Sequence, residues 1–235
     1  MQPASTEVER WQHEGLRVLT VLDADYPDNL RAVHDRPALI FLAGPLDPGD
    51  VRSVAIIGSR RATTEGLDRA GRCAAELSRL GYTIVSGLAT GIDTAAHTAT
   101  LATRGRTIAV IGTGHHHAYP PENRDLQHQI AATGAVVSQF WPESEASRET
   151  FPQRNAVMSG LAAGTVIIEA TQRSGARIQA RQALAHGRPV FLARELLDQG
   201  WARELAAQPG VSSFSTAEEV AATLESLRDP TALTA

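Results

Sequence analysis

The chain has 235 residues, of which 43% are apolar, a composition that supports one α/β domain with a substantial buried core. Its formal net charge of −4 excludes a surface that is positive throughout, so any nucleic-acid binding has to come from a local patch. A single cysteine, Cys73, excludes an intramolecular disulfide. The sequence shows no long apolar run and no signal-peptide pattern, and we expect a cytoplasmic protein without a membrane partner.

Three segments are predicted along the chain. Residues 1–22, around Trp11, are expected to form an N-terminal extension, residues 23–228 a single domain and residues 229–235 a loose tail. Within the domain, β-branched runs alternate with helical patterns. The predicted strands lie at 54–57, 82–85, 107–111, 135–137, 165–168, 189–192 and 211–214. This alternation predicts an α/β protein with a doubly wound, mostly parallel sheet, an extended Rossmann-like fold.

The first strand–helix junction of this domain carries a glycine–serine–arginine turn. Gly58, Ser59 and Arg60 follow the first predicted strand, Arg61 comes next, and a helical pattern resumes near Thr64. The guanidinium of Arg60 can donate paired hydrogen bonds to phosphate oxygens. For Arg61, a solvated surface position is the simpler interpretation.

The second junction is a loop of small residues. Ser86, Gly87 and Gly91 follow a strand and allow a ligand phosphate to approach the backbone closely. Asp93 is predicted to cap a helix over 94–104, whose first turn leaves backbone N–H groups unpaired beside the loop. Because anions bind at such helix starts, this loop predicts a phosphate-binding site.

The carboxyl ends of parallel strands meet at one edge of a sheet, so these two loops are expected to share a crevice. Every basic residue of the chain is an arginine, and each phosphate contact would therefore be made by a planar fork that can also stack on bases. The candidates near the crevice are Arg60, Arg61, Arg154, Arg173 and Arg177. Aromatic residues make up only 5% of the chain, which favours contacts to phosphates over stacking on bases.

Histidines offer weaker indications. His97 lies four residues after Asp93, and we expect it to have a structural or phosphate-orienting role, since no third metal ligand is identifiable there. Residues 115–117 are three consecutive histidines, which point in different directions on a loop and are expected to face solvent. We predict no metal site.

Glu169 ends a predicted strand at the crevice. A carboxylate there can act as a general base or accept hydrogen bonds from ribose hydroxyls, and the second role needs no catalysis. The sequence shows no serine–histidine–acid order, phosphate-loop lysine or complete dinucleotide fingerprint, which argues against an NAD-dependent oxidoreductase. We predict no catalytic residue and no cofactor.

Four segments in this order resemble the DNA-processing protein A family (DprA, also called Smf). They are the glycine–serine–arginine turn at 58–60, the small-residue loop and helix start at 86–97, the Phe151…Arg154–Asn155 segment and the Glu169…Ser174–Gly175 loop. The resemblance spans roughly residues 23–227. It implies a Rossmann-like core and adds Arg154, Asn155, Glu169, Arg173, Ser174 and Gly175 to the predicted phosphate- or DNA-binding residues.

The resemblance also implies a function. Members of the family bind incoming single-stranded DNA during natural transformation and help to load the RecA recombinase, acting as homodimers with no chemical step. We therefore expect a single-stranded DNA-binding recombination mediator, with single-stranded DNA and RecA as partners.

The chain departs from the family pattern at several positions. Ala156 stands where the family usually has a second arginine, Gln179 where it usually has a threonine, and Ala193–Arg194 replace a proline–glycine pair. Many members also carry an N-terminal helical domain and a C-terminal winged-helix domain, for which we expect no room in this chain.

A small-nucleotide sensor or a phosphoribohydrolase-like protein is the alternative function, with the same fold and crevice. The related hydrolases carry a proline–glycine–glycine…glycine–threonine…glutamate signature, and the segment from Glu169 to Gly175 lacks it. Hydrolysis is therefore the less favoured form of this alternative.

A partner-binding scaffold is a third possibility. Apolar residues near Leu192, Leu196, Leu197 and Trp201 are candidates for a dimer interface, with Trp201 as its anchor, because tryptophan is enriched at the centres of interfaces. Core packing is the simpler explanation of the same residues.

Overall fold

The computed structural model describes residues 4–228. Its nine strands are β1 Leu16–Thr20, β2 Leu39–Ala43, β3 Ser53–Ile57, β4 Thr83–Ser86, β5 Thr107–Val110, β6 Ala135–Ser138, β7 Gly164–Ile167, β8 Val190–Ala193 and β9 Val211–Phe214. The α-helices are α1 Ala4–His13, α2 Asp28–Arg31, α3 Thr64–Arg79, α4 Ile92–Ala102, α5 Arg124–Thr133, α6 Thr150–Leu161, α7 Ala176–Ala185, α8 Gly200–Ala206 and α9 Ala217–Arg228. Three short 3₁₀ helices complete the described elements, at Pro48–Val51, Pro121–Asn123 and Arg194–Asp198.

All nine strands form one sheet in the order β1-β2-β6-β5-β4-β3-β7-β8-β9. Strands β3 to β9 pair in parallel, whereas β1 and β2 run antiparallel at one edge. The predicted α/β, doubly wound, mostly parallel fold is thus confirmed. Every residue of β3 through β8 is buried, as expected of strands covered on both faces.

The two antiparallel strands were not predicted. Strand β1 lies inside residues 1–22, the segment expected to be an N-terminal extension, and pairs along its whole length with β2. Residues 16–20 of that segment therefore belong to the same sheet as the other described strands. The predicted tail at 229–235 lies outside the described residues.

Helices cover both faces of the sheet. One face packs against α3, α4 and α9 through residues such as Leu77, Ile92 and Val220, and the other packs against α2, α6, α7 and α8 through residues such as Leu30 and Val157. Cys73 lies in the first of these layers, and burial raises the pKa of its thiol to about 12, which makes it an inert core residue. Within residues 4–228, no helix is long and apolar enough to span a bilayer.

The apolar residues that suggested a dimer interface belong to this core. Trp201 is only 6% exposed and its indole N–H donates to Gln199 Oε1 at 2.6 Å, while Leu192 and Leu196 are buried. The prediction of an exposed interface anchored by Trp201 is therefore wrong, and core packing explains these residues.

The strand order places the site. From the central strand β3 the chain moves outward through β4, β5 and β6, and then returns to add β7, β8 and β9 on the other side of β3. In open parallel sheets, ligands bind at the carboxyl ends of the strands where the order reverses in this way. A ligand site is thus expected at the edge where β3 and β7 end.

Candidate nucleic-acid interface

A cleft of about 550 Å³ opens at this edge of the sheet. The ends of β3 and β7, the first turns of α6 and the start of α7 form its walls. The structure brings most of the predicted site residues into its lining, namely Gly58, Ser59, Arg60, Arg61, Asp93, Arg154, Asn155, Arg173, Ser174 and Gly175. A smaller cavity of about 200 Å³ adjoins it and includes Gly87.

The glycine–serine–arginine turn ties the loops on either side of the cleft together. The backbone N–H of Ser59 donates to the carbonyl of Glu169 at 2.7 Å, and the carbonyl of Ser59 accepts from Ile92 N at 3.2 Å. A Cβ on Gly58 would lie 2.6 Å from the Glu169 carbonyl oxygen, so only glycine allows this approach. The turn therefore fixes the spacing of the β3, β4 and β7 loops.

The small-residue loop at 86–91 is occupied by the protein's own carboxylate. Asp93 Oδ2 accepts hydrogen bonds from the backbone N–H groups of Gly87 at 3.1 Å and Ala89 at 3.4 Å. Asp93 was predicted to be the N-cap of α4, and this prediction is wrong. The helix begins one residue before Asp93, at Ile92, and Gly91 is the N-cap. The loop thus binds an internal anion, and its amides are not directed at the cleft in the way the sequence suggested.

Asp93 is paired electrostatically with Arg154 beneath the cleft. Arg154 is only 6% exposed, and its Nη1 donates to the Val110 carbonyl at 3.0 Å. Burial raises the pKa of the Asp93 carboxyl, and the positive charge of Arg154 opposes that rise. Burial likewise lowers the pKa of Arg154, and Asp93 opposes that change. The two groups compensate each other's charge in a site that water barely reaches.

Gly87 provides the space for this arginine. A Cβ at Gly87 would lie 1.5 Å from Arg154 Nη1, so the guanidinium packs directly on the glycine backbone. Arg154 still lines the cleft, but most of its surface contacts protein. It forms part of the cleft floor, together with Gly87 and Asp93.

Two further predicted residues lie behind the floor. His97 is fully buried, and its Nδ1 lies 2.7 Å from Thr107 Oγ1. Burial lowers the pKa of His97 to about 3, so the ring is neutral at ordinary pH. Ser86 is also fully buried and donates to the Ile56 carbonyl at 2.6 Å. Neither side chain lines the cleft. Of the two roles expected for His97, structural or phosphate-orienting, its position supports the structural one.

Glu169 bonds to Thr63, the N-cap residue of α3. Its carboxylate accepts from the Thr63 hydroxyl at 2.6 Å and from the Thr63 backbone N–H at 3.1 Å, and Thr63 Oγ1 in turn accepts from Gly66 N at 3.0 Å. The glutamate therefore sits at the positive amino end of α3, where a negative charge is stabilising. The carboxylate that was predicted to act as a general base or to bind ribose hydroxyls is therefore already hydrogen-bonded to Thr63.

Exposed arginines form the rim of the cleft. Arg60, Arg61, Arg148 and Arg173 all line it and are solvent-exposed. Arg60 lies over the ring of Phe151, with Cζ 5.1 Å from the ring centroid. Arg177, which was a candidate, instead donates to the Gln172 carbonyl and lies 5.5 Å from the Trp201 ring.

Aromatic rings also lie at the cleft, despite the low aromatic content of the chain. The rings of Phe151 and Tyr119 are 5.4 Å apart between centroids, and Tyr119 is 46% exposed. Both residues line the smaller cavity together with Arg60. The cleft therefore offers flat surfaces as well as positive charge.

Sequence reasoning missed Arg148 and Gln179. Arg148 comes one turn before Phe151 in a polar stretch and carries no pattern beyond its charge. Gln179 lines the cleft but is 1% exposed, and neither its Nε2 nor its Oε1 has a hydrogen-bond partner among residues 4–228. The signal in the sequence was the departure from the family pattern at this position, where Gln179 replaces the usual threonine.

Solved structures with this architecture include two DNA processing proteins. The crystal structure of DprA from Streptococcus pneumoniae matches with a TM-score of 0.79 and 34% identity, over 91% of this chain and 77% of that one. The DprA of Helicobacter pylori, described as having a unique single-stranded DNA binding mode, matches with a TM-score of 0.77 and 25% identity, over 89% of this chain and 95% of that one. These matches agree with the fold.

Sequence comparison extends over most of the chain. Protein Smf of Synechocystis is 40% identical over 188 residues, which cover 78% of this chain and 47% of that protein. The chain thus spans about half the length of this relative. The sequence profile of DNA recombination-mediator protein A matches residues 17–224. The chain belongs to the DNA recombination-mediator protein A family.

Proposed function

We propose that this protein binds single-stranded DNA in the cleft and acts as a DNA-processing recombination mediator. The observation that carries the proposal is the ring of exposed arginines, Arg60, Arg61, Arg148 and Arg173, around one cleft of a chain whose net charge is −4. Positive charge concentrated at one place on an acidic protein marks a site for a polyanion.

Phosphate contacts have a second source at the start of α7. Ser174, Gly175 and Ala176 line the cleft where this ten-residue helix begins. The amino end of a helix carries a partial positive charge that favours phosphate oxygens. The rim arginines and this helix end would hold successive phosphates of one strand.

The aromatic residues suit a single strand better than a duplex. Tyr119 and Phe151, with Arg60 over the Phe151 ring, offer surfaces on which unpaired bases can stack. Paired bases in a duplex are already stacked on one another and cannot use these surfaces. The single-stranded DNA binding mode described for the Helicobacter pylori relative supports the same choice.

We propose that binding involves no chemical step. The carboxylates nearest the cleft are both engaged, Asp93 by backbone N–H groups and Glu169 by Thr63. The family relation supports the finer parts of the proposal, which are a cytoplasmic homodimer that loads RecA during DNA uptake. Light scattering of the purified chain would measure the dimer directly.

Fluorescence anisotropy of a labelled oligothymidine strand, measured over a series of salt concentrations, tests DNA binding. We expect affinity to fall steeply with salt, because each neutralised phosphate of a single strand adds about 0.7 to the slope of log K against log salt. Arg60→Ala should weaken binding and lower that slope by about 0.7. Arg79→Ala is the control, because Arg79 is exposed at the far end of α3 from the cleft.

Adenine nucleotides are added as competitors in the same experiment. A strand that binds in a salt-dependent way and loses affinity only in Arg60→Ala supports the proposal. Equal behaviour of Arg60→Ala and Arg79→Ala would place the strand elsewhere on the protein. Absence of strand binding, with thermal stabilisation by a nucleotide, would replace the proposal with a small-nucleotide sensor.

A further inference from the structure

Two histidines and an aspartate meet at a point remote from the cleft. His34 and Asp35 lie in the loop after α2, and His186 follows the last residue of α7. One imidazole nitrogen from each histidine and one carboxylate oxygen of Asp35 all lie within 4.8 Å of one another. We define these three residues as the His34–Asp35–His186 cluster.

The His186 ring is held rigidly within the cluster. Its side chain is fully buried, and its Nδ1 lies 2.9 Å from Ser159 Oγ of α6. The other ring nitrogen, Nε2, lies 2.6 Å from Asp35 Oδ1. Histidines that bind metals are normally oriented in this way, by a hydrogen bond at the nitrogen that does not contact the metal.

Both nitrogens of the His186 ring have polar partners. Ser159 Oγ lies 3.2 Å from the Ala156 carbonyl and 2.9 Å from His186 Nδ1, while Nε2 lies 2.6 Å from Asp35 Oδ1 and 3.0 Å from Gln182 Nε2. Without a metal ion, a proton on Nε2 donates to Asp35. When the proton is on Nδ1 and donates to Ser159, the Nε2 lone pair is available to a metal ion beside the Asp35 carboxylate.

Asp35 and His34 are placed to complete such a site. The second carboxylate oxygen, Asp35 Oδ2, accepts from Gln182 Nε2 at 2.6 Å, which leaves Oδ1 directed at the cluster. The His34 ring is exposed and meets the His186 ring edge to face at 5.4 Å between centroids. Its side chain makes no hydrogen bond to any residue between 4 and 228 in this arrangement.

We propose that the His34–Asp35–His186 cluster binds a divalent transition metal ion, with Zn²⁺ as the preferred occupant. Two imidazoles and one carboxylate form a common ligand set for zinc, with water filling the remaining position. Ligand atoms around a tetrahedral zinc lie about 3.3 Å apart, given bonds of about 2.0 Å. His186 Nε2 and Asp35 Oδ1 are 2.6 Å apart, so binding of the ion requires the partly exposed Asp35 carboxylate to move back by about 0.7 Å. The exposed His34 ring, whose ligand atom lies within 4.8 Å of the other two, then turns to supply the third ligand.

The role of the ion would be to join three elements. Ser159 lies near the end of α6 and His186 directly after α7, while His34 and Asp35 belong to the loop after α2. Helices α6 and α7 both begin at the cleft and end at the cluster, and α7 is about 15 Å long. The ion therefore contacts no DNA and stabilises the packing of helices whose first turns line the cleft.

Isothermal titration of the EDTA-treated full chain, prepared without a histidine tag, with ZnCl₂ tests the proposal. We expect saturation near one ion per chain and a higher melting temperature with zinc. His34→Ala and Asp35→Asn should each weaken binding by about tenfold or more, and both residues are exposed enough for the fold to tolerate the change. His128→Ala is the matched control, because His128 is an exposed histidine on α5.

Cobalt provides a second measurement. Co²⁺ bound by the wild type should give visible absorption bands of a low-symmetry site, and His34→Ala should change them while circular dichroism shows an intact fold. The proposal is overturned if the wild type shows no saturable binding. It is equally overturned if His34→Ala and Asp35→Asn bind like the wild type, or if His128→Ala loses as much affinity as they do.

Discussion

The floor and the rim of the cleft differ in what their side chains do. On the floor, Asp93 and Arg154 are at most 6% exposed and bond mainly to the protein itself. On the rim, Arg60 and Arg173 are exposed. The motif residues thus include one set that shapes the cleft and one set that is exposed for contact with a ligand, and the sequence does not separate them.

Glycines mark the boundary between these two regions. Gly87 makes room for the guanidinium of Arg154, and Gly91 brings the second loop against the turn that carries Arg60. Each is fixed by contact with its neighbours in the protein. The sequence suggested that these glycines allow a phosphate to approach the backbone. Their contacts within the protein explain them without a phosphate.

The largest expected effect is that of Gly91→Ala. Gly91 has φ of +81°, and a Cβ there would lie 2.3 Å from the backbone oxygen of Ser59, which cannot move aside as a side chain can. We expect the free energy of unfolding, measured by urea denaturation, to fall by about 3 kcal/mol.

Gly175→Ala is the control for this change. Gly175 lines the same cleft with φ of −59°, and nothing lies within 4 Å of its hypothetical Cβ. Its stability should remain within about 0.5 kcal/mol of the wild type. Equal losses in the two variants would mean that the loops are not held as closely as described.

The next largest effect is a pH dependence of stability caused by His97, which lies behind the cleft floor. Burial lowers the pKa of His97 to about 3 from its ordinary value of 6.5. The unfolded chain therefore takes up a proton below pH 6.5 that the folded chain rejects, so stability present above pH 6.5 is lost as the pH falls. Between pH 7.5 and pH 5.0 this histidine should remove about 2 kcal/mol of stability.

His97→Gln isolates that contribution. The variant should be less stable at neutral pH, and its stability should fall by about 2 kcal/mol less than that of the wild type over the same pH interval. His128→Gln, which changes an exposed histidine, should keep the wild-type dependence. The raised pKa of Asp93 acts in the opposite direction but is present in both proteins. Parallel pH curves for wild type and His97→Gln would show that His97 is accessible to protons.

The parallel strands were predictable because each is a short β-branched run between helical patterns. The runs at 54–57 and 211–214, for example, agree with β3 and β9 to within one residue. Strands β1 and β2 were missed because their register depends on pairing with each other and with β6, which no local pattern shows. The burial of Trp201 depends in the same way on long-range packing.

The site was predictable at the level of loops and less so at the level of single side chains. The segments carrying Arg60, Arg154 and Ser174 do meet at one cleft. The side chain of Asp93 points into its own loop because α4 starts at Ile92. The sequence predicted a helix start two residues later, at Thr94. His186 and Asp35 are separated by 151 residues, so no spacing rule could have suggested a metal site there.

The smallest expected effect on stability belongs to the rim. Arg173 is exposed and makes no hydrogen bond or ion pair with any residue in the described part of the chain, so Arg173→Ala should change the free energy of unfolding by less than about 0.5 kcal/mol. Its affinity for a labelled oligothymidine should nevertheless fall. The loss should be smaller than in Arg60→Ala, because Arg60 is already held on Phe151 and gives up less side-chain freedom on binding.

The two rim variants therefore test whether preorganisation grades the contribution of each arginine. Both should lower the slope of log K against log salt by about 0.7, since each removes one positive charge from the path of the strand. Only the affinity at fixed salt should differ between them. A larger loss of affinity in Arg173→Ala than in Arg60→Ala would mean that the strand lies closer to the α7 side of the cleft than to Phe151. Arg60, the arginine held in place before binding, would then not be the dominant contact.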